Sequence, residues 1–163
     1  MAHRSFELSR TRVTLFEALL RARDMKGGKY PIMEDHDRKP MTYDDLVRAA
    51  FALGGKLDGL IKRRETAGVL LPTGVGCVVT FFALHAIGRT PAMLNFTAGA
   101  ANILSACRAA QVKHVLTSRA FVTQAKLGPV IAELEKDVRI VWLDDIRATV
   151  GVMDKLKGFL HRG

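Results

Sequence analysis

The chain has 163 residues, 48% of them hydrophobic and 25% charged, with a formal net charge of +9. That length suits one well-buried domain, and the composition is too apolar for a disordered polypeptide and too evenly mixed for a membrane protein. The longest apolar run, Val75 to Ile87, is interrupted by Thr80 and His85 and falls short of the ~20 residues that a bilayer crossing needs.

The opening MAHRSFELSRTR carries charge without a following apolar stretch, so no secretory signal is expected and the expected location is the cytoplasm. Residues 1–13 read as a disordered lead-in. Leu15, Phe16, Leu19 and Leu20 then share one helical face, and the helix should end at Gly27-Gly28. YPIMEDHD reads as a short strand closing in a polar turn. Thr42 is placed to cap the next helix, with Asp45 three residues on as a weaker capping box. In that helix Leu46, Val47, Ala50, Phe51, Gly54, Leu57, Leu60 and Ile61 form an apolar stripe of 3.6-residue period.

From there a β-rich run followed by a helix-period run recurs about every two dozen residues. AGVLLP leads to a helix over Val75–Ile87, expected to lie deep between sheet and neighbour. TPAMLN leads to a helix over Ala98–Ala110, and KHVLTS to a helical region over Arg119–Lys136 that Gly128-Pro129 should break. VRIVWLDD closes the series as a fourth strand. This alternation predicts a three-layer α/β fold, a largely parallel sheet with helices on both faces, reached through right-handed crossovers. The last segment, TVGVMDKLKGFLHRG, reads as an amphipathic helix with no strand after it.

Cys77 and Cys107 fall inside apolar helical patterns without metal-ligand spacing and read as reduced core residues. Between Thr66 and Ala132 there is no Asp or Glu, while Arg89, Arg108, Lys113, Arg119 and Lys126 lie in that span. Any proton transfer there would rest on His85, His114 or hydroxyls. Pro72-Thr73-Gly74-Val75-Gly76 resembles the start of a phosphate loop, but Val79 replaces the third glycine of a dinucleotide fingerprint and no Gly-Lys-Ser/Thr occurs. A structural turn is the simpler reading, with anion binding at the helix N-terminus as the alternative. His85 reads as a core residue, and His114 opens a strand. The acids flanking His36, Asp35 and Asp37, read as a solvated turn. Asp144-Asp145, after the last strand, should cap the next turn, with ligand contact at the carboxyl edge as the alternative, and Lys62-Arg63-Arg64 should oppose the dipole of the preceding helix. No catalytic residue and no metal site is assigned. Because aromatics are not interleaved with the basic residues, a nucleic-acid-binding domain is the weakest class.

The order of the blocks is more specific than any single site. MTYDDLVRAAFALGGKL followed by AGVLLPTGVGCVVTFFALHAIGRTPAMLNFTAGAANILSACRAAQVKHVLTS resembles the N-terminal part of the AMP-forming adenylating superfamily of acyl-CoA and acyl-carrier-protein synthetases. The likeness runs from Met41 to about Ser118. Within it, RTPAMLNFTAG, Arg89 to Gly99, is most similar to the synthetase half of bifunctional 2-acylglycerophosphoethanolamine acyltransferase/acyl-carrier-protein synthetases. Thr73 departs from the Asn that often follows Leu-Pro in the family. The Ser/Thr/Gly-rich loop ending in Pro-Lys-Gly, the later adenylate-binding motifs and the C-terminal lysine of the family do not occur in these residues.

The resemblance therefore implies a single α/β subdomain over residues 1–163, an N-terminal fragment of a larger synthetase that is inactive alone. The intact parent would activate a fatty acid with ATP and Mg2+ and pass the acyl group to a carrier protein or CoA, and in the bifunctional form to a lysophospholipid. No cofactor is expected on this chain itself. Expected partners are the remainder of the synthetase, the carrier, and peripherally an anionic inner-membrane surface, with Arg89, Arg108 and Arg119 as steering charges. Ligands of open parallel sheets lie beyond the carboxyl ends of the strands, which selects Thr73, Gly74, Asn95 and Thr97 as candidates for contact with substrate or with the rest of the enzyme. The competing class is a free-standing binding or scaffold domain of the same fold.

Overall fold

The computed structural model describes residues 11–35 and 38–149. In chain order the elements are α1 (Leu15–Lys26), β1 (Pro31–Glu34), β2 (Pro40–Thr42), α2 (Tyr43–Leu57), β3 (Thr66–Val69), α3 (Val75–Ala86) and β4 (Thr90–Met93). A 3-10 turn (Phe96–Ala98) follows, then α4 (Ala100–Ala109), β5 (His114–Thr117), α5 (Arg119–Gln124), α6 (Gly128–Leu134) and β6 (Arg139–Trp142). Residues 143–149 are helical. The expected amphipathic segment over 150–163, the first ten residues of the lead-in, and His36 with Asp37 lie outside the described residues.

Four strands form one parallel sheet in the order β4-β3-β5-β6, and β1 pairs with β2 as a separate antiparallel ribbon. The register aligns Gly68 with Ala92 on one side and with Val115 on the other, and Val115 in turn with Ile140. Both faces of the sheet are covered. Ala67, Val69, Leu116 and Val141 point into a core shared with Phe16 and Leu19 of α1, Leu46, Ala50 and Leu57 of α2, and Ala83 and Leu84 of α3. The alternate residue Val115, with Leu70, joins Ile103, Cys107, Phe121, Ile131 and Leu134 from α4, α5 and α6. The expected three-layer arrangement is therefore present. It follows from the period-2 alternation of strand side chains, which in a doubly covered sheet makes both sets apolar.

Local chemistry sets the helix ends. Thr14 Oγ1 accepts from the Glu17 amide at 3.1 Å, and Gly27, at φ +91°, ends α1 where the sequence places its stop. At α2 the capping box is complete: Thr42 Oγ1 accepts from the Asp45 amide at 3.2 Å, and Asp45 Oδ2 accepts from the Thr42 amide at 3.1 Å. The Thr42 hydroxyl, which donates to Asp45 Oδ2 at 2.7 Å, together with the Thr42 amide and Arg48, holds the Asp45 carboxyl below its ordinary pKa.

Several sequence expectations shift. β2 is a three-residue strand that carries no alternating pattern, so only the ribbon reveals it. The fourth helix begins at Ala100, after the 3-10 turn, rather than at Ala98. Gly128-Pro129 opens α6 instead of breaking a helix; the break falls at 125–127, with Lys126 at φ +54°, because a proline in the first turn sacrifices no hydrogen bond. α2 stops at Leu57; Phe51 within it and Leu60 beyond it are exposed, while Ile61 is buried. α3 is buried only along Thr80, Ala83 and Leu84. It packs chiefly on α2 and the sheet, and Phe81 and His85 stay half-buried on its remaining face. Arg63 and Arg64 lie beyond the last turn of α2, so the opposition to its dipole comes from elsewhere.

Candidate functional site

The strand order reverses between β3 and β5: the chain moves from β3 outward to β4, then crosses back to β5. In open parallel sheets the crevice beyond the carboxyl ends at such a reversal is where ligands bind. Here that edge is built from Pro72-Thr73-Gly74 after β3, Asn95-Phe96-Thr97 after β4, Ser118 after β5 and Asp144-Asp145 after β6. Pairing runs one residue past the strands, with the Leu94 amide donating to Val69 O at 3.0 Å and the Leu70 amide to Leu116 O at 2.9 Å. Thr117 Oγ1, fully buried, donates to Leu70 O at 2.7 Å. The loops therefore leave a rigid edge.

The N-terminus of α3 is occupied by the protein itself. Gly74 has no capping side chain of its own. The Val75 amide instead donates to Asp35 Oδ2 at 3.3 Å, across 40 residues of sequence, and a Cβ added at Gly74 would lie 3.1 Å from Asp35 Oδ1. The carboxylate meets the free amide and dipole that would otherwise attract an external anion. The loop between β3 and α3 is a turn capped from the β1–β2 ribbon. Asp35→Ala is expected to lower stability by about 1 kcal/mol, as loss of a helix cap does, read as a parallel shift of the urea unfolding midpoint.

The second pair of candidates is brought together and satisfied locally. Asn95 Oδ1 accepts from the Thr97 amide at 3.0 Å and from Thr97 Oγ1 at 2.8 Å, which starts the 3-10 turn. Phe96 stands edge-on to Phe121 with centroids 5.1 Å apart, anchoring the loop to the α4–α6 core. Thr73 is exposed in the loop of the adjacent strand. At the far side, the Arg119 amide donates to Asp144 Oδ2 at 2.8 Å, and its guanidinium grips Asp145 at 2.6 and 2.9 Å while lying 4.8 Å over the Trp142 ring. The hydrogen bond from Arg119 holds the Asp145 carboxyl below its ordinary value, against a smaller opposing effect of burial. Asp144 thus caps the start of α5 rather than the turn that follows it in sequence, and Asp145 pairs with Arg119.

Titratable groups elsewhere have structural roles. The His85 ring lies 4.6 Å from that of Phe81, and burial holds its pKa below the ordinary 6.5. Both thiols are pushed up by burial, as core cysteines are. His114 Nδ1 meets Glu65 Oε1 at 2.7 Å, with side-chain exposures of 15% and 9%, at the amino end of β5 and so away from the loops above. Burial would raise the Glu65 pKa, but the hydrogen bonds from His114 and the Lys62 amide, with the nearby charges of His114 and Lys113, outweigh it and hold the carboxyl below its ordinary 4.5. A carboxyl depressed in the folded state stabilises the fold above its unfolded pKa, and that contribution is lost as pH falls through the folded value. Glu65→Gln is therefore expected to flatten the decline in stability below about pH 4.5, measured by urea unfolding across an acid series.

Arg89 is the residue most misjudged by its charge. It is buried rather than a surface cation, at 6% exposure. Its guanidinium donates to Ile61 O at 2.6 and 3.0 Å, to Asp58 O at 3.3 Å and to Ile87 O, and meets Asp58 Oδ1 at 2.8 Å. It satisfies the carbonyl of Asp58 at the C-cap of α2 and that of Ile61 in the segment just beyond, where Lys62-Arg63-Arg64 are expected to act. Arg108 and Arg119 are exposed but paired with Asp137 and Asp145. Among the described residues no group of three or more His, Cys, Asp or Glu is placed to hold a metal, and no buried side-chain polar atom lacks a partner.

Comparison with known proteins agrees with this architecture. The AMP-binding enzyme family model matches residues 20–155. O-succinylbenzoate coenzyme A synthetase (MenE) from Bacillus subtilis, unliganded, superposes with a TM-score of 0.67 at 16% identity, covering 82% of this chain and 27% of its own. The crystal structure of VinN gives a TM-score of 0.71 at 20% identity, covering 88% and 37%. The complex of MenE with the acyl-adenylate intermediate OSB-AMP gives 0.67 at 16%. At those identities the likeness shows the shared fold, that of the N-terminal adenylating-enzyme domain, and the chain spans between about a quarter and two fifths of the proteins it matches. With its parallel sheet, its reversed strand order and a family match that runs through most of both, this chain belongs to the AMP-binding enzyme family.

Proposed function

We propose that the chain forms the N-terminal wall of an AMP-forming acid–thiol ligase, and that activity resides in a longer polypeptide of which this is one subdomain. The observation that carries the reading is the carboxyl edge of the sheet: it matches the adenylating fold, yet its helix N-terminus and its polar side chains are engaged in capping one another. The described residues do not by themselves fit ATP and Mg2+. In the full enzyme those would be held by a phosphate loop beyond this chain, with Thr73, Gly74, Asn95 and Thr97 contacting substrate or the neighbouring subdomain.

The reaction of such an enzyme joins a carboxylate to the α-phosphate of ATP, giving an acyl-adenylate with release of pyrophosphate, then transfers the acyl group to a thiol with release of AMP. We infer a fatty acid as the acid, and a carrier protein or CoA as the thiol, from the resemblance of RTPAMLNFTAG to the bifunctional acyltransferase/synthetases. Onward transfer to a lysophospholipid belongs to the same inference. No helix among the described residues is long and apolar enough to cross a membrane. The net charge of +9 supports peripheral contact with acidic partners, and a cytoplasmic location is part of the same proposal. Arg89 is withdrawn from that contact by burial. If neutralising Arg108 and Arg119 leaves carrier affinity and its salt dependence unchanged, steering by these charges is rejected.

The test is to express the 163-residue chain and the continuation of its reading frame beyond Gly163 side by side, and to assay ATP-dependent acyl-hydroxamate formation with a series of fatty and aryl acids. Activity confined to the longer polypeptide, with fatty acids preferred, is expected. Turnover by the short chain, or a reading frame that stops at Gly163, would overturn the proposal in favour of a free-standing domain.

A further inference from the structure

At the opposite end of the sheet, beneath the amino ends of β3 and β5, an open cavity of about 780 Å³ lies between the segment 62–66, the end of α4 and the turn before β6. Its walls hold five cationic side chains, Lys62, Arg63, Arg64, Arg108 and Lys113, against two carboxylates. Both carboxylates are already committed. Glu65 accepts from the Lys62 amide at 3.2 Å and contacts His114 at 2.7 Å, and Asp137 accepts from Arg108 Nε and Nη2 at 3.0 and 2.6 Å. Lys62, Arg63, Arg64 and Lys113 are exposed and form no salt bridge with any described residue. Four like charges around one concavity repel one another, a cost that a bound anion would relieve.

The cations also stand on fixed backbone. Arg64 at φ +63° and Gln111 at φ +54° both line this cavity in the left-handed conformation, which is uncommon outside glycine and persists where surrounding structure enforces it. The Arg64 amide donates to Gly88 O at 3.4 Å and the Glu65 amide to Lys62 O at 3.1 Å, which ties the turn to the end of α3. The floor is apolar, formed in part by buried Cys107 and Val112. A basic rim over an apolar floor suits an organic molecule that carries phosphate. Arginine forks match phosphate oxygens in pairs, and lysine adds point charge.

We propose that this cavity binds a multiply charged phosphate group, with Lys62, Arg63, Arg64 and Lys113 as its recognising cations. The group comes from either a free phosphorylated metabolite or a lipid headgroup, and the site is separate from the carboxyl edge, so it stands whether or not the ligase reading does.

The test is calorimetric titration of the 163-residue chain with sodium tripolyphosphate in magnesium-free, low-salt buffer, alongside sedimentation with vesicles of phosphatidic acid in phosphatidylcholine and of phosphatidylcholine alone. Saturable binding is expected, weakened by salt. Arg63→Gln, Arg64→Gln and Lys113→Gln should each lower affinity roughly tenfold, the scale of a hydrogen bond to a charged group, without moving the melting temperature. Lys126→Gln and Arg147→Gln, which remove the same charge from exposed positions elsewhere, should leave affinity close to wild type. Tripolyphosphate binding with this pattern assigns a free phosphate ligand; binding only to phosphatidic acid vesicles with this pattern assigns a headgroup. Failure of both probes to saturate, or equal losses in the two sets of variants, would overturn the site.

Discussion

Arg89→Ala is expected to lower stability by about 3 kcal/mol, from the loss of charge-assisted hydrogen bonds to buried acceptors, and to lower the melting temperature by roughly 10 °C in a domain of this size. The guanidinium joins three carbonyls, those of Asp58, Ile61 and Ile87, and so fastens the end of α2 to the end of α3. Gly88, at φ +70°, makes the turn that brings it there, with the Arg89 amide donating to Leu84 O at 2.9 Å. Deleting the side chain strands acceptors in a site with little access to water. Arg89→Lys should recover only part of the loss, because a single ammonium cannot span acceptors arranged around a planar fork. Thermal melts followed by circular dichroism measure both. An alanine variant that melts with wild type would show the carbonyls to be satisfied by solvent.

Gly54→Val should cost about 3 kcal/mol, at the upper end of the range for overpacking a core. α2 and α3 approach most closely here: a Cβ at Gly54 would stand 3.0 Å from Ala83 O and 3.1 Å from Ile87 Cγ2, and the first of these is backbone that cannot rotate away. Valine adds two further methyl groups beyond that Cβ and forces the helices apart in the buried layer that includes Ala50 and Leu84. The neighbouring glycine supplies the control. A Cβ at Gly55 meets nothing within 4 Å, so Gly55→Ala should stabilise by about 0.5–1 kcal/mol through helix propensity alone. Urea unfolding midpoints of the two variants should therefore move in opposite directions. Equal destabilisation would mean that the glycines matter for α2 itself and not for its contact with α3.

What the sequence reveals and what it conceals divide along the range of the interactions. The capping box of Thr42 and Asp45 spans three residues, so spacing alone exposes it. The two central strands, β3 and β5, are legible because each is buried on both sides and reads as a short apolar run, as in Ala67-Gly68-Val69-Leu70, whereas the edge strands β4 and β6 keep exposed residues such as Met93 and Arg139. The strand β2 was hidden because its three residues depend on pairing with β1. Gly128-Pro129 has the same composition whether it ends a helix or begins one, and the choice was made by Leu127 and Ile131 docking in the second core. At the candidate site the loops follow from topology, but the group that caps α3 does not: Asp35 reaches it from 40 residues away. Arg89 reads in the sequence as a surface cation because most arginines are exposed, and only the convergence of two helix ends on one point shows otherwise. The basic cavity is likewise invisible in the chain, since Lys62, Arg108 and Lys113 meet only once the sheet has formed.

As proposed, this chain supplies part of the framework of an adenylating enzyme, with a carboxyl edge closed by its own capping groups. The most direct measurement is calorimetric titration of the purified 163-residue chain with a nonhydrolysable acyl-adenylate analogue, paired with an ATP–pyrophosphate exchange assay in the presence of Mg2+ and fatty acid. No exchange is expected, and no saturable binding of the analogue at the carboxyl edge. Tight, stoichiometric binding that is abolished by substitution in Thr73-Gly74-Val75-Gly76, or any exchange above background, would contradict it and make that turn a ligand loop in its own right.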